Sequence, residues 1–148
     1  TENDSTGEVV DNDTLEEYAQ EVVRLTNEER AKAGLPALKV NDKLMQAAAI
    51  RAEEISEKFS HIRPNGADTS TICDQVGIEL TARVIFAENI VKSTIWNDDI
   101  AADNMKAWMN SEGHRNQILR TDLSEIGVAY YIASDGTVCC TQLFLGYE

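Results

Sequence analysis

The residues of this chain best suited to chemistry are two histidines and one acid. His61 and His114 are the only histidines among 148 residues, and Glu88 lies between them in the sequence. Two neutral imidazole nitrogens and a carboxylate oxygen suit a zinc-like divalent ion and leave one coordination position open for water. The same groups can act as acid and base, because histidine titrates near neutral pH. From residue types alone, a metal site, acid–base chemistry and structural hydrogen bonding all stay open.

Each of these residues is predicted at the end of a secondary-structure element. His61 lies in the polar loop SHIRPNG, Glu88 near the end of the extended segment 82–90, and His114 just behind the fourth predicted helix. Such positions favour function, because a rigid scaffold can direct side chains from several loops into one cleft. We therefore predict a shared cleft, although the spacing contains no zinc-protease motif such as HExxH.

The first two thirds of the chain are predicted to be mainly helical. Thr14 opens a T-x-x-E capping box, and apolar residues at helical spacing predict a first helix over residues 14–33. Asn41 is typical of a helix cap and predicts a second helix that ends near Phe59. A short third helix is predicted to stop at Gly77, and an Asn-Asp-Asp run opens a fourth.

The last third of the chain is predicted to be a β-hairpin. Residues 125–133 and 137–146 are rich in β-branched and aromatic side chains and flank a Ser-Asp-Gly turn. Helices come first and strands last, without the regular alternation of a parallel sheet. This order predicts an α+β fold in which helices pack on an antiparallel sheet.

Composition limits the classes of function. The chain carries 26 acidic and 13 basic residues, for a net charge of -13, which argues against nucleic-acid binding. No apolar run is long enough to span a bilayer, and no charged-then-apolar leader opens the sequence. Residues 1–13 contain five acids and no base, which predicts a solvated tail or linker before a single domain over residues 14–148. If the protein is exported, we expect its signal or anchor to lie upstream of these residues.

The three cysteines, Cys73, Cys139 and Cys140, have neither zinc-type spacing nor an even count. Adjacent cysteines on a strand point to opposite faces of the sheet, so one of the pair could reach Cys73 while the other packs in the core. We favour three free thiols over a disulfide.

Five motifs follow one another along the chain: NEERAKAGLPAL at 27–38, SHIRPNG at 60–66, AENI at 87–90, AWMNSEGHRNQIL at 107–119 and EIGV at 125–128. Their order resembles that of the CAP superfamily of cysteine-rich secretory proteins, antigen-5 proteins and pathogenesis-related proteins, and in particular its bacterial SCP-like branch. The resemblance covers about residues 14–146. It implies an α-β-α sandwich, a secreted or cell-surface location, and a central cleft of two histidines and two acids that can hold zinc or another divalent cation.

The resemblance places three of the four cleft residues on this chain. His61 and His114 match the family histidines, and Glu88 matches the acid that precedes asparagine. The second acid would fall close to Ser111, and serine is a poor substitute for it as a metal ligand. Glu112 is one residue away and could replace it only if the end of the helix unwinds.

Three further residues are predicted to support the cleft. Arg63 and Arg115 accompany the two histidines and could hold an anionic ligand, but we favour ion pairs with some of the 26 acidic residues. Asn89 is expected to bond the backbone rather than a ligand.

The function predicted from the sequence is that of a secreted or surface domain whose cleft binds a divalent ion, a peptide, a lipid or another cell-envelope ligand without turnover. One alternative is a metal-dependent hydrolase of the peptidase type, in which His61, Glu88 and His114 hold zinc and its bound water attacks a carbonyl. The other is a structural surface domain in which these residues only tie loops to the sheet.

Overall fold

The computed structural model describes residues 10–148. Its elements, in chain order, are α1 Asn12–Lys32, β1 Lys39–Val40, α2 Asp42–Glu57, the 3-10 turn Thr69–Thr71, α3 Ile72–Val76, β2 Val84–Ser93, α4 Ile100–Met109, α5 Glu112–Ile118, β3 Glu125–Ile132 and β4 Val138–Tyr147. Within this range, no helix is long and apolar enough to cross a membrane.

The helix ends follow local hydrogen-bonding chemistry. The side chain of Asn41 accepts a hydrogen bond from the backbone of Leu44, as predicted for the cap of α2. The predicted cap of α1 was wrong, because Asp11 accepts from the amide of Thr14 and starts the helix earlier. Asn12 and Asp13 therefore belong to α1 instead of the predicted tail, whose residues 1–9 lie outside the described part of the chain.

The four strands form one sheet in the order β1-β3-β4-β2. Strands β3 and β4 form the predicted antiparallel hairpin, and β2 pairs antiparallel with the other side of β4. The two-residue β1 runs parallel to β3. This order leaves β2, the strand that carries Glu88 and Asn89, at one edge of the sheet.

Helices cover both faces of the sheet, so that β4 is buried along nearly its whole length. Its residues alternate between two cores, as side chains of a strand must. Cys140 and Phe144 pack with Val22 of α1 and Trp108 of α4. Leu143 and Leu145 pack on the opposite face with α2 and α3. The predicted α-β-α sandwich is confirmed.

The cysteines lie in the interior: Cys140 and Cys73 in these two cores, and Cys139 in a small cluster with Ile55 and Ile90. Cys73, Cys139 and Cys140 are all buried and free, so the disulfide alternative is not realised. Burial raises the pKa of the Cys73 thiol to about 11. The three residues pack as small apolar side chains.

Candidate functional site

His61 and Glu88 form a direct pair between the loop after α2 and the edge strand. The Nδ1 atom of His61 lies 2.8 Å from Oε1 of Glu88. The Glu88 side chain is 1% exposed, whereas that of His61 is 57% exposed. The carboxylate therefore lies beneath an imidazole that reaches solvent. With Nδ1 held in this way, Nε2 is the His61 nitrogen left for a ligand.

Glu88 is surrounded by donors from other elements. Arg51 of α2 contacts both carboxylate oxygens, with Nε 2.7 Å from Oε2 and Nη2 3.1 Å from Oε1. The hydroxyl of Thr69 donates to Oε2 at 2.8 Å. Arg51 also bonds Glu54 and the backbone oxygen of Ser60, at 2.8 Å each. The carboxylate is thus neutralised and fixed by the protein itself.

Arg51 was missed in the sequence, although a signal for it was present. It lies in the small-residue stripe of α2, among Ala47, Ala48 and Ile55, where a buried apolar residue is expected. A basic residue in an apolar stripe is rarely buried unless it is paired. The stripe therefore indicated that Arg51 is buried beside an acidic partner, although not which acid that is.

These contacts set the protonation of the site. The hydrogen bond that His61 donates to Glu88 raises the pKa of His61, against the opposing effect of partial burial. Burial alone would raise the pKa of Glu88, but the bonds from His61 and Arg51 outweigh it and lower this pKa. Partial burial and the nearby His61 lower the pKa of His114. The two histidines are therefore biased towards opposite charge states.

His114 is held on the other side of β2. It lies within the short helix α5 rather than in a loop, and its Nδ1 is 2.7 Å from Oγ of Ser111. The side-chain amide of Asn89 donates to the backbone oxygen of His114 at 3.1 Å and to Oε1 of Gln142 at 2.9 Å. The expectation that Asn89 bonds the backbone is confirmed.

Alternation along β2 explains why acid and amide are neighbours. Successive side chains of a strand point to opposite faces of the sheet. Glu88 accordingly meets Arg51 of α2 on one face, while Asn89 meets α5 and the Gln142 side chain on the other. Each of the two residues thereby fixes one histidine segment. The Glu-Asn pair brings segments from opposite layers to the same sheet edge.

The two histidines line one cleft of about 430 Å³ at this edge. The cleft is formed by Phe59, Ser60, His61, Ile90, Val91, Lys92, Ala107, Trp108, Ser111 and His114. Trp108 is buried and donates from its indole nitrogen to the backbone oxygen of Ile90 at 3.1 Å. The structure brings His61 and His114 together at this cleft. Glu88 lies behind His61 and does not line the cleft.

The position of Glu88 behind His61 affects how a divalent ion could be bound. Among the residues that the structure describes, no group of three or more His, Cys, Asp and Glu side chains is arranged to hold a metal ion. Both oxygens of Glu88 are engaged by protein donors, and a cation there would face Arg51. Glu88 is placed instead to orient His61, as carboxylates behind metal-binding histidines do. The donor set fits two imidazoles but not the three direct ligands expected from the sequence.

The predicted supporting residues divide in two. Arg63 is buried and forms an ion pair with Glu54 at 2.8 Å, which agrees with the ion-pair interpretation. Arg115 instead donates to the backbone oxygen of Met109 at 3.2 Å. Glu112 is exposed at the start of α5, and it is Ser111 that lines the cleft. Because α5 stays wound at Glu112, that acid does not replace the missing one.

The family of this chain follows from its similarity to known proteins. The model of the CAP family, described as the cysteine-rich secretory protein family, matches residues 23–144. The chain belongs to the CAP family. The protein YkwD of Bacillus subtilis, whose function is uncharacterised, is 34% identical over 131 residues, covering 87% of this chain and 47% of that protein. The chain spans less than half of the curated relatives it matches.

Solved structures share the fold. An extracellular SCP-domain protein of Bacillus anthracis superposes with a TM-score of 0.75 at 24% identity, covering 94% of this chain and 45% of that one. NaASP2, solved with Zn2+, superposes with a TM-score of 0.65 at 15% identity, covering 93% of this chain and 83% of that one. These likenesses agree with the α-β-α architecture of the CAP family.

Proposed function

We propose that this CAP domain is an extracellular binding domain whose cleft takes a small organic ligand, or the end of a peptide, without turnover. The observation that carries the proposal is the cleft itself. It has the volume of a ligand pocket, a largely apolar lining from Phe59, Ile90 and Trp108, and two imidazoles as polar groups. An extracellular location is supported by the family and by the extracellular SCP-domain protein of Bacillus anthracis that shares the fold.

The residues that face the cleft favour binding over hydrolysis. Glu88, the acid bonded to His61, is also held by Arg51 and Thr69, so both of its oxygens are engaged and neither is free to activate a water. General-base chemistry requires a base within hydrogen-bond reach of the proton it removes. His114 is paired with Ser111 through Nδ1. The acid is therefore assigned to positioning and the cleft to recognition.

Binding can be tested without knowing the ligand. The Trp108 indole and both imidazoles give side-chain NMR signals that report on the cleft. We expect a library of short apolar peptides, fatty acids and sterols to contain members that shift these signals. Chromatography of the same mixtures should show no product. Product formation that is lost in His114→Ala would instead establish the hydrolase alternative.

A blocking variant and a matched control make the test specific. Ala107 lines the cleft on α4, and Ala107→Trp should abolish the shifts by filling it. Ala102 is exposed on the same helix outside the cleft lining, so that Ala102→Trp should leave ligand binding unchanged. If no library member shifts the signals in the wild type, and His61→Ala only lowers thermal stability, the structural-domain alternative is correct.

A divalent cation is a second proposed occupant of the same cleft, favoured by the two imidazoles that line it and by the NaASP2 structure solved with Zn2+. His61 and His114 would be its protein ligands, and zinc would supply Lewis acidity when bound. Calorimetric titration with ZnCl2 should show binding at about pH 7.5 that is lost at about pH 5.5, because imidazole must be neutral to ligate. The His61→Ala, His114→Ala double variant should not bind. Equal binding by this variant would exclude the histidines as the site.

A further inference from the structure

We infer that the open edge of β3 is a docking site for an extended, cationic segment of a partner protein, which pairs with β3 as an added strand. This edge lies across the sheet from β2 and the histidine cleft, so the inference does not depend on the function proposed for the cleft. It follows from where β1 ends and from the backbone groups that β3 presents beyond that point.

Most of one side of β3 has no neighbouring strand among the residues that the structure describes. β1 pairs with only the first two of the eight residues of β3. The backbone oxygen of Ile126 accepts from the amide of Asn41, and the amide of Val128 points at Sδ of Met45 at 3.2 Å. The even-numbered residues of β3 therefore turn their N–H and C=O groups away from β4, because these groups alternate along an antiparallel strand.

Two residues of this open edge are buried. Val128 and Tyr130 are 1% and 6% exposed. Among the described residues, the backbone oxygen of Val128 and both backbone groups of Tyr130 have no hydrogen-bond partner, and the Val128 amide meets a sulfur, which is a weak acceptor. Buried backbone groups are nearly always paired. An extended polypeptide supplies donors and acceptors at the matching spacing, as strands added to an open sheet edge do.

A groove of about 290 Å³ runs along these groups, with residues 128–130 as its floor. Three consecutive strand residues share a floor only at the edge of a strand, because their side chains leave on alternate faces. The walls are apolar side chains of the helices on the two faces, Leu15 and Ala19 of α1 and Met45 and Ala49 of α2. Side chains of an added strand alternate between these walls, so the groove fits successive small apolar residues.

The rim of the groove is acidic. Glu16 is exposed there beside the neutral amides of Asn12 and Gln46, and no basic side chain is among the described residues that line the groove. Asp13 adds a second acid in the first turn of α1. A partner segment with basic residues at its ends is complementary to this rim.

The basic residues of the two wall helices do not cancel this charge, because each is engaged elsewhere. Those that pair with acids are Arg24, Lys32 and Arg51. Those that donate to backbone oxygens are Arg30, to Ile118, and Lys43, to Gly77.

The same charge argues against two other occupants of the groove. A second copy of the chain would bring its own acidic rim against this one. The residues that precede Asp11 in the sequence include Glu2, Asp4 and Glu8 and no base. Like charges in contact oppose association, so a cationic partner is the occupant that the charges favour.

The probe is the peptide acetyl-KVAVAK-amide, which has small apolar residues between two lysines. We expect it to shift the backbone amide NMR signals of Val128 and Tyr130 and to slow their hydrogen exchange, while the Trp108 indole signal of the cleft stays unchanged. The charge-reversed acetyl-EVAVAE-amide should bind about two- to fivefold more weakly, as the loss of an exposed ion pair predicts. Acetyl-KPAPAK-amide lacks two backbone N–H groups and should not shift the signals.

Two pairs of variants test the groove and its charge. Ala49→Trp should fill the groove and abolish the shifts, whereas Ala102→Trp, exposed on α4 outside the groove, should leave them unchanged. Glu16→Lys should weaken binding of the lysine peptide about two- to fivefold. Glu17→Lys makes the same change of charge outside the lining and should have a smaller effect. Circular dichroism checks that each variant folds.

Each contrary result overturns a defined part of the inference. Equal binding of the lysine and glutamate peptides would overturn the cationic partner, and shifts caused by the proline peptide would overturn strand pairing. Shifts of the Val128 and Tyr130 signals on deletion of residues 1–9, without any peptide, would assign the groove to the chain itself. Dimerisation that Ala49→Trp abolishes would assign it to a second copy. No shift with the lysine peptide would overturn the docking site and leave the cleft, read from Trp108, untouched.

Discussion

Replacing Arg51 with methionine tests the buried ion pair on which the site depends. The side chains of Arg51 and Glu88 are 0% and 1% exposed, so the substitution leaves the Glu88 carboxylate buried without its cation. Removing one partner of such a pair typically costs about 3–5 kcal/mol. This is a large part of the about 5–15 kcal/mol that stabilises a typical domain.

Urea denaturation followed by circular dichroism gives the free energy of unfolding of each variant. The matched control is Arg24→Met, because Arg24 pairs with Glu21 on the surface, with side chains 58% and 42% exposed. The control should lose less than about 1 kcal/mol, as exposed pairs do. The two substitutions are the same in chemistry and differ in burial.

A double variant separates the buried charge from lost packing. Arg51→Met with Glu88→Met removes both charges, and it should be more stable than Arg51→Met alone because no unpaired carboxylate stays buried. A loss of less than about 1 kcal/mol in Arg51→Met, or a double variant no more stable than the single one, would refute the assignment of Arg51 as the counter-ion that keeps Glu88 ionised.

Three other substitutions test the site and the packing of α2. Glu88→Gln should lower the pKa of His61, measured by NMR titration, towards about 6.5, because the carboxylate that raises it is gone. In the wild type the His61–Glu88 pair should stabilise the fold below about pH 6.5 and lose this effect as the pH rises through the raised pKa of His61. An unchanged pKa in the variant would contradict the pairing. Gly127→Ala should destabilise the fold by about 1–3 kcal/mol, since its Cβ would meet the backbone of Leu44; unchanged urea unfolding would show that α2 can move away. Asn41→Ala should cost about 1 kcal/mol in the same assay through loss of the α2 cap, and no change would show that this cap is dispensable.

The architecture was largely predictable because its signals are local. The Asn41 cap, the left-handed Gly77 at the end of α3 and the β3–β4 hairpin are each set by a few neighbouring residues. The error at the start of α1 came from the T-x-x-E pattern at Thr14, which resembles a capping box. Aspartate is the stronger cap, and Asp11 takes that role three residues earlier.

The site was predictable in its histidines but not in the role of its acid. Residue types favoured Glu88 as a direct ligand, and only the three-dimensional fold shows that Arg51 and Thr69 occupy its oxygens. Arg51 is 37 residues away in sequence. A pairing between helix and strand over that distance depends on the packing of whole layers, which short-range spacing does not encode.

The geometry of the edge strand explains why it matters that residue 111 is a serine rather than an acid. Because Glu88 and Asn89 point to opposite faces of β2, His61 and His114 reach one cleft from opposite layers. An acid at position 111 would join the two imidazoles and favour a cation. Serine places a neutral hydroxyl there instead, with its Oγ 2.7 Å from Nδ1 of His114. The residue just before α5 therefore decides whether the cleft contains a carboxylate, whereas the pairing of His61 with Glu88 does not depend on it.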